Sequence, residues 1–398
     1  MAAISPSRPP SLRDGGARSI YLDWNATTPL CEEAIAAMSA AMKDAWANPA
    51  SVHGQGRRAR GAVESARHTV ADLVGFDARD VVLTSGGTEA NNLALRSLVG
   101  PGEGLVTSRL EHPSVVRSAE ALETEGVIVR WIDPSSSGRV DPADVGRALD
   151  ELGDRARLVS LQAVNHETGV VQPLIEVAGL LARRTRAAAS AGSSRSPVLL
   201  HCDAVQAVGR LPSSAWAGAD LVSVASHKLR GPKGAGALLT RPGIKLRNIL
   251  KGGEQERGIR PGTQDPIAFA GFGAAALVAA GGADRYLAIA PLRDRLEAAL
   301  TAMGAIPNGS GERAPHVTNL SFSGWLGPEL CAALDLEGVC VSSGSACSAG
   351  TAEPSPIITA MLGRTRAASA VRISLGETST NDDISAAILA FERVLART

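Results

Sequence analysis

The chain has 398 residues, with 40 basic and 40 acidic side chains and no formal net charge at pH 7. Because the charges are balanced and spread along the chain, nothing indicates binding to nucleic acid or to an acidic membrane surface. No apolar run approaches the roughly 20 residues that span a bilayer, so no membrane segment is expected. Five cysteines without a C-x-x-C pair argue against a disulfide framework and favour a reducing cytoplasm.

The N-terminal stretch 1–18 is rich in Ser, Pro and Arg and lacks an apolar centre, so we expect a disordered extension rather than a secretory signal. A transit peptide is the alternative, although Asp14 and two adjacent prolines argue against it. A short extended entry follows at 21–23, and helices are predicted over about 32–47 and 57–74.

A predicted strand at 81–84 runs into Ser85-Gly86-Gly87-Thr88 and a further helix. Such a junction presents backbone N–H groups and the positive end of a helix to an anion, which is typical of a phosphate site. A glycine turn before a helix is common, so this pattern by itself does not establish a ligand.

Further strands alternate with helical segments, which predicts an α/β fold with a mainly parallel sheet and ligands at the carboxyl ends of its strands. These strands are predicted near 104–107, 127–132, 158–163, 198–202 and 221–225. From about residue 284 the pattern changes to a helix at 293–303 and an alternating strand around 371–375. We therefore predict a large domain over 31–284 and a smaller α+β domain made of 19–30 with 285–398.

Lys228 follows the predicted strand 221–225 in the tripeptide Ser226-His227-Lys228. The chain has five lysines against 35 arginines, so a lysine beside buried strand residues is a candidate for chemistry that arginine cannot perform. An amine can lose its proton and form an imine with a carbonyl, whereas a guanidinium cannot. The alternative is an ordinary lysine in a turn.

Asp203 ends another predicted strand, where a buried carboxylate is costly unless it faces a cation or a strong donor. Alternatively, or at the same time, it caps the segment that starts at Ala204. His201, Cys202 and Asp203 are consecutive, and strand alternation keeps their side chains from converging on a metal, so no metal site is expected.

Eight short motifs follow one another between Tyr21 and Gly376. They are Leu22-Asp23-x-Asn25-Ala26-Thr27-Thr28-Pro29, Thr84-Ser85-Gly86-Gly87-Thr88-Glu89, Glu111-His112, Asn165-His166-Glu167-Thr168-Gly169, Asp203-Ala204-x-Gln206, Ser226-His227-Lys228, Glu256-Arg257-Gly258 with Gly262-Thr263, and Ser342-Ser343-Gly344-Ser345-Ala346-Cys347. With these motifs in this order, the chain resembles the cysteine desulfurases of the NifS/IscS type, in the class V aminotransferase superfamily. The resemblance implies fold type I of the enzymes that use pyridoxal 5'-phosphate (PLP), with a seven-stranded sheet.

The resemblance also implies how the cofactor is held. Lys228 would form a Schiff base with PLP, Asp203 would contact the pyridine nitrogen and Gln206 the ring hydroxyl. His112 would stack on the ring and could move protons. The phosphate would be held by Gly87, Thr88 and His227.

Substrate and subunit contacts follow from the same resemblance. Asn25 and Arg372 correspond to the residues that bind the substrate carboxylate, and a planar guanidinium suits that task. Strand alternation places Arg372 on the face opposite Val371 and Ile373; a surface arginine is the alternative. Thr263 corresponds to a threonine that reaches the phosphate of the other subunit, which implies a homodimer.

Three positions depart from the family pattern. His166 stands where the family usually has an asparagine beside the ring hydroxyl, and Glu254 stands where a third glycine is common. Ala225 occupies the position of a phosphate-binding serine, and we hypothesise that Ser226 or a water molecule replaces that contact.

Cys347 distinguishes a desulfurase from a plain aminotransferase. Its surroundings are small and polar without an apolar period, which predicts a mobile exposed loop. The resemblance implies that the Cys347 thiolate takes sulfur from L-cysteine, leaving alanine and an enzyme persulfide. Core or neutral roles are expected for the other cysteines, Cys31, Cys202, Cys331 and Cys340.

The sequence thus predicts a cytoplasmic cysteine desulfurase that passes sulfur to an acceptor such as an iron–sulfur scaffold protein or a thiolation pathway. A selenocysteine lyase and a class V aminotransferase are the enzymatic alternatives. A PLP-binding sulfur carrier or assembly subunit is the non-enzymatic one. The sequence leaves the acceptor open.

Overall fold

The computed structural model describes residues 19–190, 196–344 and 353–397. The predicted extension 1–18 and the predicted nucleophile Cys347 lie outside these residues. Within the described ranges, strands and helices mostly alternate from residue 20 to residue 240, as the sequence predicted. The strands are β1 (Ile20–Tyr21), β2 (Val81–Thr84), β3 (Gly104–Ser108), β4 (Ile128–Ile132), β5 (Ala156–Gln162), β6 (Leu199–Asp203), β7 (Leu221–Ala225), β8 (Gly236–Thr240), β9 (Ile306–Pro307), β10 (Val317–Ser321), β11 (Val339–Cys340) and β12 (Ala370–Ser374).

The helices pack on both sides of the strands and lie between them in the chain. They are α1 (Glu32–Asp44), α2 (Gly54–Val74), α3 (Gly87–Leu98), α4 (Pro113–Thr124), α5 (Pro142–Leu152), α6 (Leu174–Ser190), α7 (Pro266–Ala279), α8 (Gly282–Ala288), α9 (Ala290–Ala302), α10 (Gly327–Leu336), α11 (Pro356–Leu362), α12 (Arg364–Ala368) and α13 (Asn381–Leu395).

Several helices begin at side chains that satisfy the otherwise unpaired first N–H groups of the helix. Asp141 caps α5 and Asp265 caps α7, each followed by a proline, which fits the first helical position because it lacks an N–H. At α13, Thr380 and Asp383 form a reciprocal capping box.

The large sheet has seven strands in the order β2-β8-β7-β6-β5-β3-β4. The strands from β7 to β4 are parallel to one another, whereas β8 runs antiparallel to both β2 and β7. The predicted mainly parallel, seven-stranded α/β fold is therefore confirmed. The strand β8 was not predicted individually.

Alternation along the strands supplies two apolar faces to this sheet. Val81, Leu83 and Val159 face the core cluster that includes α2 and α7, whereas Val82 and Leu158 face the cluster with α3 and α4. Since both faces are covered, the inner strands read as continuous apolar runs.

A third apolar cluster joins the two ends of the chain, since it contains Ile20 and Leu22 together with residues from 286 to 394. There β1 pairs in parallel with β11, and β10 lies between β9 and β12 in a small antiparallel sheet. A backbone bridge also joins Asp23 to Ser374 at the end of β12. The division into domains at 30 and 284 stays a prediction.

Candidate active site

A cavity of about 160 Å³ lies at the carboxyl ends of β5, β6 and β7, beside the first residues of α3 and α4. Most of the side chains that the sequence singled out line it, although they come from distant parts of the chain. The predicted residues that line it are Asn25, Gly87, Thr88, His112, His166, Asp203, Gln206, His227, Lys228 and Arg372.

Asp203 is the last residue of β6, and its two carboxylate oxygens have different partners. Oδ2 accepts a hydrogen bond from Asn91 Nδ2 at 2.7 Å, and Oδ1 accepts one from the backbone N–H of Val205 at 3.0 Å. The carboxylate therefore caps the turn after β6 while it lines the cavity, so the two alternatives for this residue coexist.

Lys228 lies at the end of a single 3-10 turn that follows β7. Its Nζ donates hydrogen bonds to the carbonyl oxygens of Ala26, at 2.7 Å, and of Asn25. The neighbouring His227 contacts the Thr27 hydroxyl through Nδ1 at 3.1 Å, and burial lowers the pKa of His227 to about 3. At neutral pH this imidazole is uncharged beside the lysine.

His112 caps α4, and its Nδ1 accepts a hydrogen bond from the backbone N–H of Ser114 at 3.1 Å. In the neutral imidazole the proton therefore resides on Nε2. Burial lowers the pKa of His112; Asp203 acts in the opposite direction and Lys228 lowers the pKa further. The His166 ring lies edge-on to it, with ring centroids 5.2 Å apart.

The first turn of α3 packs closely against the turn after β6. A Cβ at Gly87 would lie 2.8 Å from Val205 Cγ2, so glycine lets the helix approach the turn after β6. Glu89 accepts a hydrogen bond from the backbone N–H of Ser85 at 2.6 Å and forms an ion pair with Arg260 at 2.7 Å. Gly87 and Thr88, at this helix start, line the cavity, where the first N–H groups of a helix suit an anion.

Arg372 lies on β12 and is buried, in contrast to the alternative of a surface arginine. Its Nη2 donates to Asp23 Oδ1 at 2.7 Å and its Nη1 to the His166 carbonyl at 3.1 Å. The same carbonyl accepts a hydrogen bond from Asn25 Nδ2 at 3.1 Å. Both residues predicted to bind the substrate carboxylate therefore donate to one backbone carbonyl. Arg372 Nε has no hydrogen-bond partner among the described residues.

Two predicted residues are not brought to this cavity. Ser226 Oγ is buried beside Gly231, where an added Cβ would lie only 2.2 Å from it, and it has no hydrogen-bond partner within the described ranges. Successive side chains of a 3-10 turn point about 120° apart, so Ser226 cannot share the direction of the residues after it. Thr263 lies on an exposed segment of the same chain.

The sequence did not single out several other residues of the site. Asn91, Ser114 and Gln162 line the cavity, and Arg210 lies behind its wall. Single polar residues inside helical or strand segments have no local pattern that reveals which way they face. The one available signal is the spacing of Gln206 and Arg210, because residues four apart in a helical turn share a face.

The described part of the chain also bears on metal binding and on membrane insertion. It holds no group of three or more His, Cys, Asp or Glu side chains that could bind a metal ion. No single helix there has the length and apolarity to cross a membrane. The pair Pro266–Ala279 and Gly282–Ala302 meets that test only jointly, with a bend of 59° between its members.

Residues 20–387 match the family described as Aminotransferase class-V, and the chain belongs to this family. Enzymes of the family use PLP. Within it, the chain is 41% identical to the cysteine desulfurase IscS of Anaeromyxobacter sp. (strain Fw109-5), over 92% of this chain and 89% of that protein. The resemblance to the NifS/IscS cysteine desulfurases is thereby confirmed.

Solved structures agree with this assignment. A NifS-like protein from Rickettsia africae superimposes with a TM-score of 0.83 at 29% identity, over 96% of this chain and all of that one. A structure of SspA in complex with cysteine superimposes with a TM-score of 0.74 at 27% identity, over 91% of this chain and all of that one. The predicted fold type I is confirmed.

Proposed function

We propose that this chain is a PLP-dependent cysteine desulfurase that converts L-cysteine to L-alanine and keeps the sulfur as a persulfide on Cys347. The cavity that joins Lys228, Asp203, His112 and Arg372 carries this proposal, because the aldehyde and ring nitrogen of PLP and the Cα and carboxylate of cysteine find counterparts there. The relative named IscS and the neighbour with bound cysteine support the choice of substrate.

The residues present fit PLP. The Lys228 amine suits the aldehyde, the Asp203 carboxylate suits the pyridine nitrogen, and the start of α3 at Gly87 and Thr88 suits the phosphate. His166 Nε2, the ring nitrogen that does not face Gln162 Oε1, is buried without a hydrogen-bond partner among the described residues, which leaves it for the ring hydroxyl of PLP. Bound there, PLP supplies an electron sink that stabilises negative charge at the substrate Cα.

Two groups of the chain can move protons during the reaction. The Lys228 amine is held against the cavity wall by backbone carbonyls of residues 25 and 26, where it can take the proton from the substrate Cα. His112 exchanges its proton at Nε2, because Nδ1 is committed to the cap of α4. It is therefore suited to donate that proton to a reacting group, as a general acid.

The substrate is held by its carboxylate. Arg372 already donates to Asp23 and to a backbone carbonyl, which fix the plane of the guanidinium and leave Nε for a ligand. Asn25, anchored to the same carbonyl, provides a second donor. This arrangement orients the Cα of an amino acid towards Lys228.

The sulfur is transferred to Cys347, whose thiolate attacks the substrate sulfur, so that an S–S bond forms and the C–S bond breaks. The electron pair of the C–S bond stays with the substrate Cβ, which takes up a proton to give alanine. None of the cysteines in the described ranges lines the cavity. Burial raises the pKa of Cys31 and of Cys202, and raises that of Cys331 to about 12, so these thiols stay protonated at neutral pH. They are poor nucleophiles, which supports the assignment to Cys347.

Two variants test the assignment of roles. Lys228→Ala should lose the yellow absorbance of bound PLP, because no amine remains to form the link. Cys347→Ser should keep that absorbance and lose alanine and sulfide production from cysteine. Full desulfuration by Cys347→Ser would show that the nucleophile is another group.

Mass spectrometry tests the product directly. After incubation with L-cysteine, the peptide that contains Cys347 should gain the mass of one sulfur atom, and reductant should remove it. Alanine formation without added keto acid separates this reaction from an aminotransferase. Turnover of selenocysteine with no turnover of cysteine would favour a selenocysteine lyase, and no turnover at all would favour a PLP-binding carrier.

We further propose a cytoplasmic homodimer that passes its sulfur to an acceptor such as an iron–sulfur scaffold protein. The exposed position of Thr263, outside the cavity of its own chain, is consistent with a contact to the cofactor of a second copy. Analytical ultracentrifugation should give twice the chain mass of 40.8 kDa. A particle of the single mass that binds PLP fully would contradict the dimer.

A further inference from the structure

Arg210 is a buried guanidinium directly behind the cavity wall, with 1% of its surface exposed. Its Nη1 donates to Asn25 Oδ1 at 2.8 Å and to Gln206 Oε1 at 2.5 Å. Its Nη2 donates to the backbone carbonyls of Lys228, at 3.1 Å, and of Trp24, at 3.3 Å. The Arg210 side chain thus contacts the backbone of Lys228 and the side-chain amides of Asn25 and Gln206, three residues that line the cavity.

These contacts fix the orientation of both amides. A guanidinium has only donors, so the atoms that face it must be the amide oxygens. Asn25 and Gln206 therefore turn their NH2 groups away from Arg210. One hydrogen of each NH2 group is used, since Asn25 Nδ2 donates to the His166 carbonyl and Gln206 Nε2 to the Asn25 carbonyl, both at 3.1 Å. Asn25 and Gln206 each keep a second side-chain N–H, and both residues line the cavity.

His316 reinforces this orientation at Asn25. Its Nε2 lies 3.0 Å from Asn25 Oδ1 and 3.1 Å from Arg210 Nη1. Both hydrogens of Nη1 are already directed at Asn25 and Gln206, so His316 Nε2 carries the proton and donates to Asn25. Burial lowers the pKa of His316, which keeps it neutral in this role. The Asn25 oxygen thus receives two donors and cannot exchange places with its nitrogen.

We propose that Arg210 is a positioning residue that holds Asn25 and Gln206 with their N–H groups towards the cavity, and so makes the site selective for anionic ligand oxygens. An amide free to rotate could present its oxygen instead and accept a neutral carboxamide. This inference rests on the proposed function, because it assigns the anionic groups to a substrate carboxylate and a cofactor ring oxygen.

The test compares two ligands that differ only in that group, L-alanine and L-alaninamide. Their binding to PLP-loaded protein is followed by the change in visible absorbance, which needs no turnover. Arg210→Gln should weaken alanine binding about tenfold or more, because the Asn25 amide is no longer held and its N–H is lost as a donor to the charged carboxylate. The binding of alaninamide, which has no carboxylate, should change little. A merely structural role would weaken both ligands alike.

Three further variants complete the test. Arg210→Lys remains a donor only and should keep the wild-type preference for alanine. Arg293→Gln removes another buried guanidinium, whose Nη1 contacts the backbone carbonyls of Ala314 and Val317, and should leave the preference unchanged. Asn25→Asp keeps the acceptor for Arg210 and His316 but cannot donate to a ligand, so it should lose the preference even if the Arg210 variants fold poorly.

An unchanged preference in folded, PLP-loaded Arg210→Gln, or in Asn25→Asp, would overturn the inference while the proposed function stands. A wild-type protein that binds no PLP would instead overturn the proposed function. The two failures are therefore distinguishable.

Discussion

At the scale of single residues, the imidazole of His112 has a structural and a chemical task on separate nitrogen atoms. Nδ1 caps α4, and Nε2 carries the exchangeable proton. Because burial lowers the pKa of His112, the neutral form, which caps α4 through Nδ1 and can donate a proton from Nε2, persists below the ordinary value of about 6.5. We therefore expect kcat/KM for cysteine to decline on the acid side only at pH values below about 6.5.

The substitution His112→Asn separates the two tasks. Asparagine is a good N-cap, so α4 and the melting temperature should be retained. Loss of the proton carrier should lower kcat by about 10² to 10⁴ and remove the acid limb that belongs to His112. A variant with a wild-type pH profile would show that another group moves the proton.

The sequence allowed prediction of site residues where they end strands or belong to recognised motifs, as with Asp203 and Lys228. Ser226 shows the limit of this reasoning, because neighbours in a tight turn face different directions and sequence adjacency does not reveal which. Arg210 could not be predicted since its importance depends on amides that only the folded chain brings together.

At the scale of elements, β8 supports the turn at which α3 begins. A Cβ at Gly236 would lie 2.6 Å from Gly86 Cα, a backbone atom that cannot rotate away. Gly236→Ala should therefore displace the start of α3, destabilise the fold by about 1–3 kcal/mol and weaken PLP binding. Thermal unfolding and a PLP titration measure the two effects.

Gly61 provides the matched control for this substitution. It lies inside α2, and an added Cβ would meet nothing within 4 Å. Gly61→Ala should raise stability by up to about 1 kcal/mol, because alanine favours helix, and should leave PLP affinity unchanged. Wild-type PLP affinity in Gly236→Ala would contradict the proposed support.

The strands β2 and β7 could be predicted to the residue, because they are short apolar runs bounded by glycine or polar turns. The antiparallel β8 could not, since it follows the turn residues from Gly231 to Gly234 without a helix before it. Its direction is set by pairing with β2 and β7, which is a tertiary contact.

At the scale of the whole molecule, the burial of neutral histidines makes stability depend on pH. His201 is the clearest case, because its Nδ1 contacts Ser160 Oγ at 2.8 Å and its Nε2 contacts Ser223 Oγ at 2.9 Å inside the large sheet. Burial lowers its pKa to about 3. Between about pH 6.5 and that value, the unfolded chain binds a proton at this position and the folded chain does not.

It follows that the free energy of unfolding decreases as the pH falls, by up to about 1.4 kcal/mol per pH unit for His201 alone. His201→Gln should lower stability at neutral pH and make the pH dependence shallower by that amount, measured by urea unfolding between about pH 6 and 4. His68→Gln, on the exposed side of α2, should leave the slope unchanged. Equal slopes for wild type and His201→Gln would contradict the prediction. The opposing contributions of Glu111 and Glu167, whose pKa values burial raises, are common to all three proteins.

The pairing of the first strand with the last third of the chain also determines the order of events during synthesis. Asn25 is fixed by bonds from its backbone N–H to Ser374 Oγ and from Trp24 N–H to the Ser374 carbonyl. Asp203, in contrast, ends a strand of the large sheet, and Lys228 lies in the turn between two of its strands, so that this sheet is complete at residue 240. A nascent chain on the ribosome therefore completes the strands that frame the cofactor pocket well before it can anchor Asn25. The contacts that bind the amino acid form only after β12, with Arg372 and Ser374, has been synthesised.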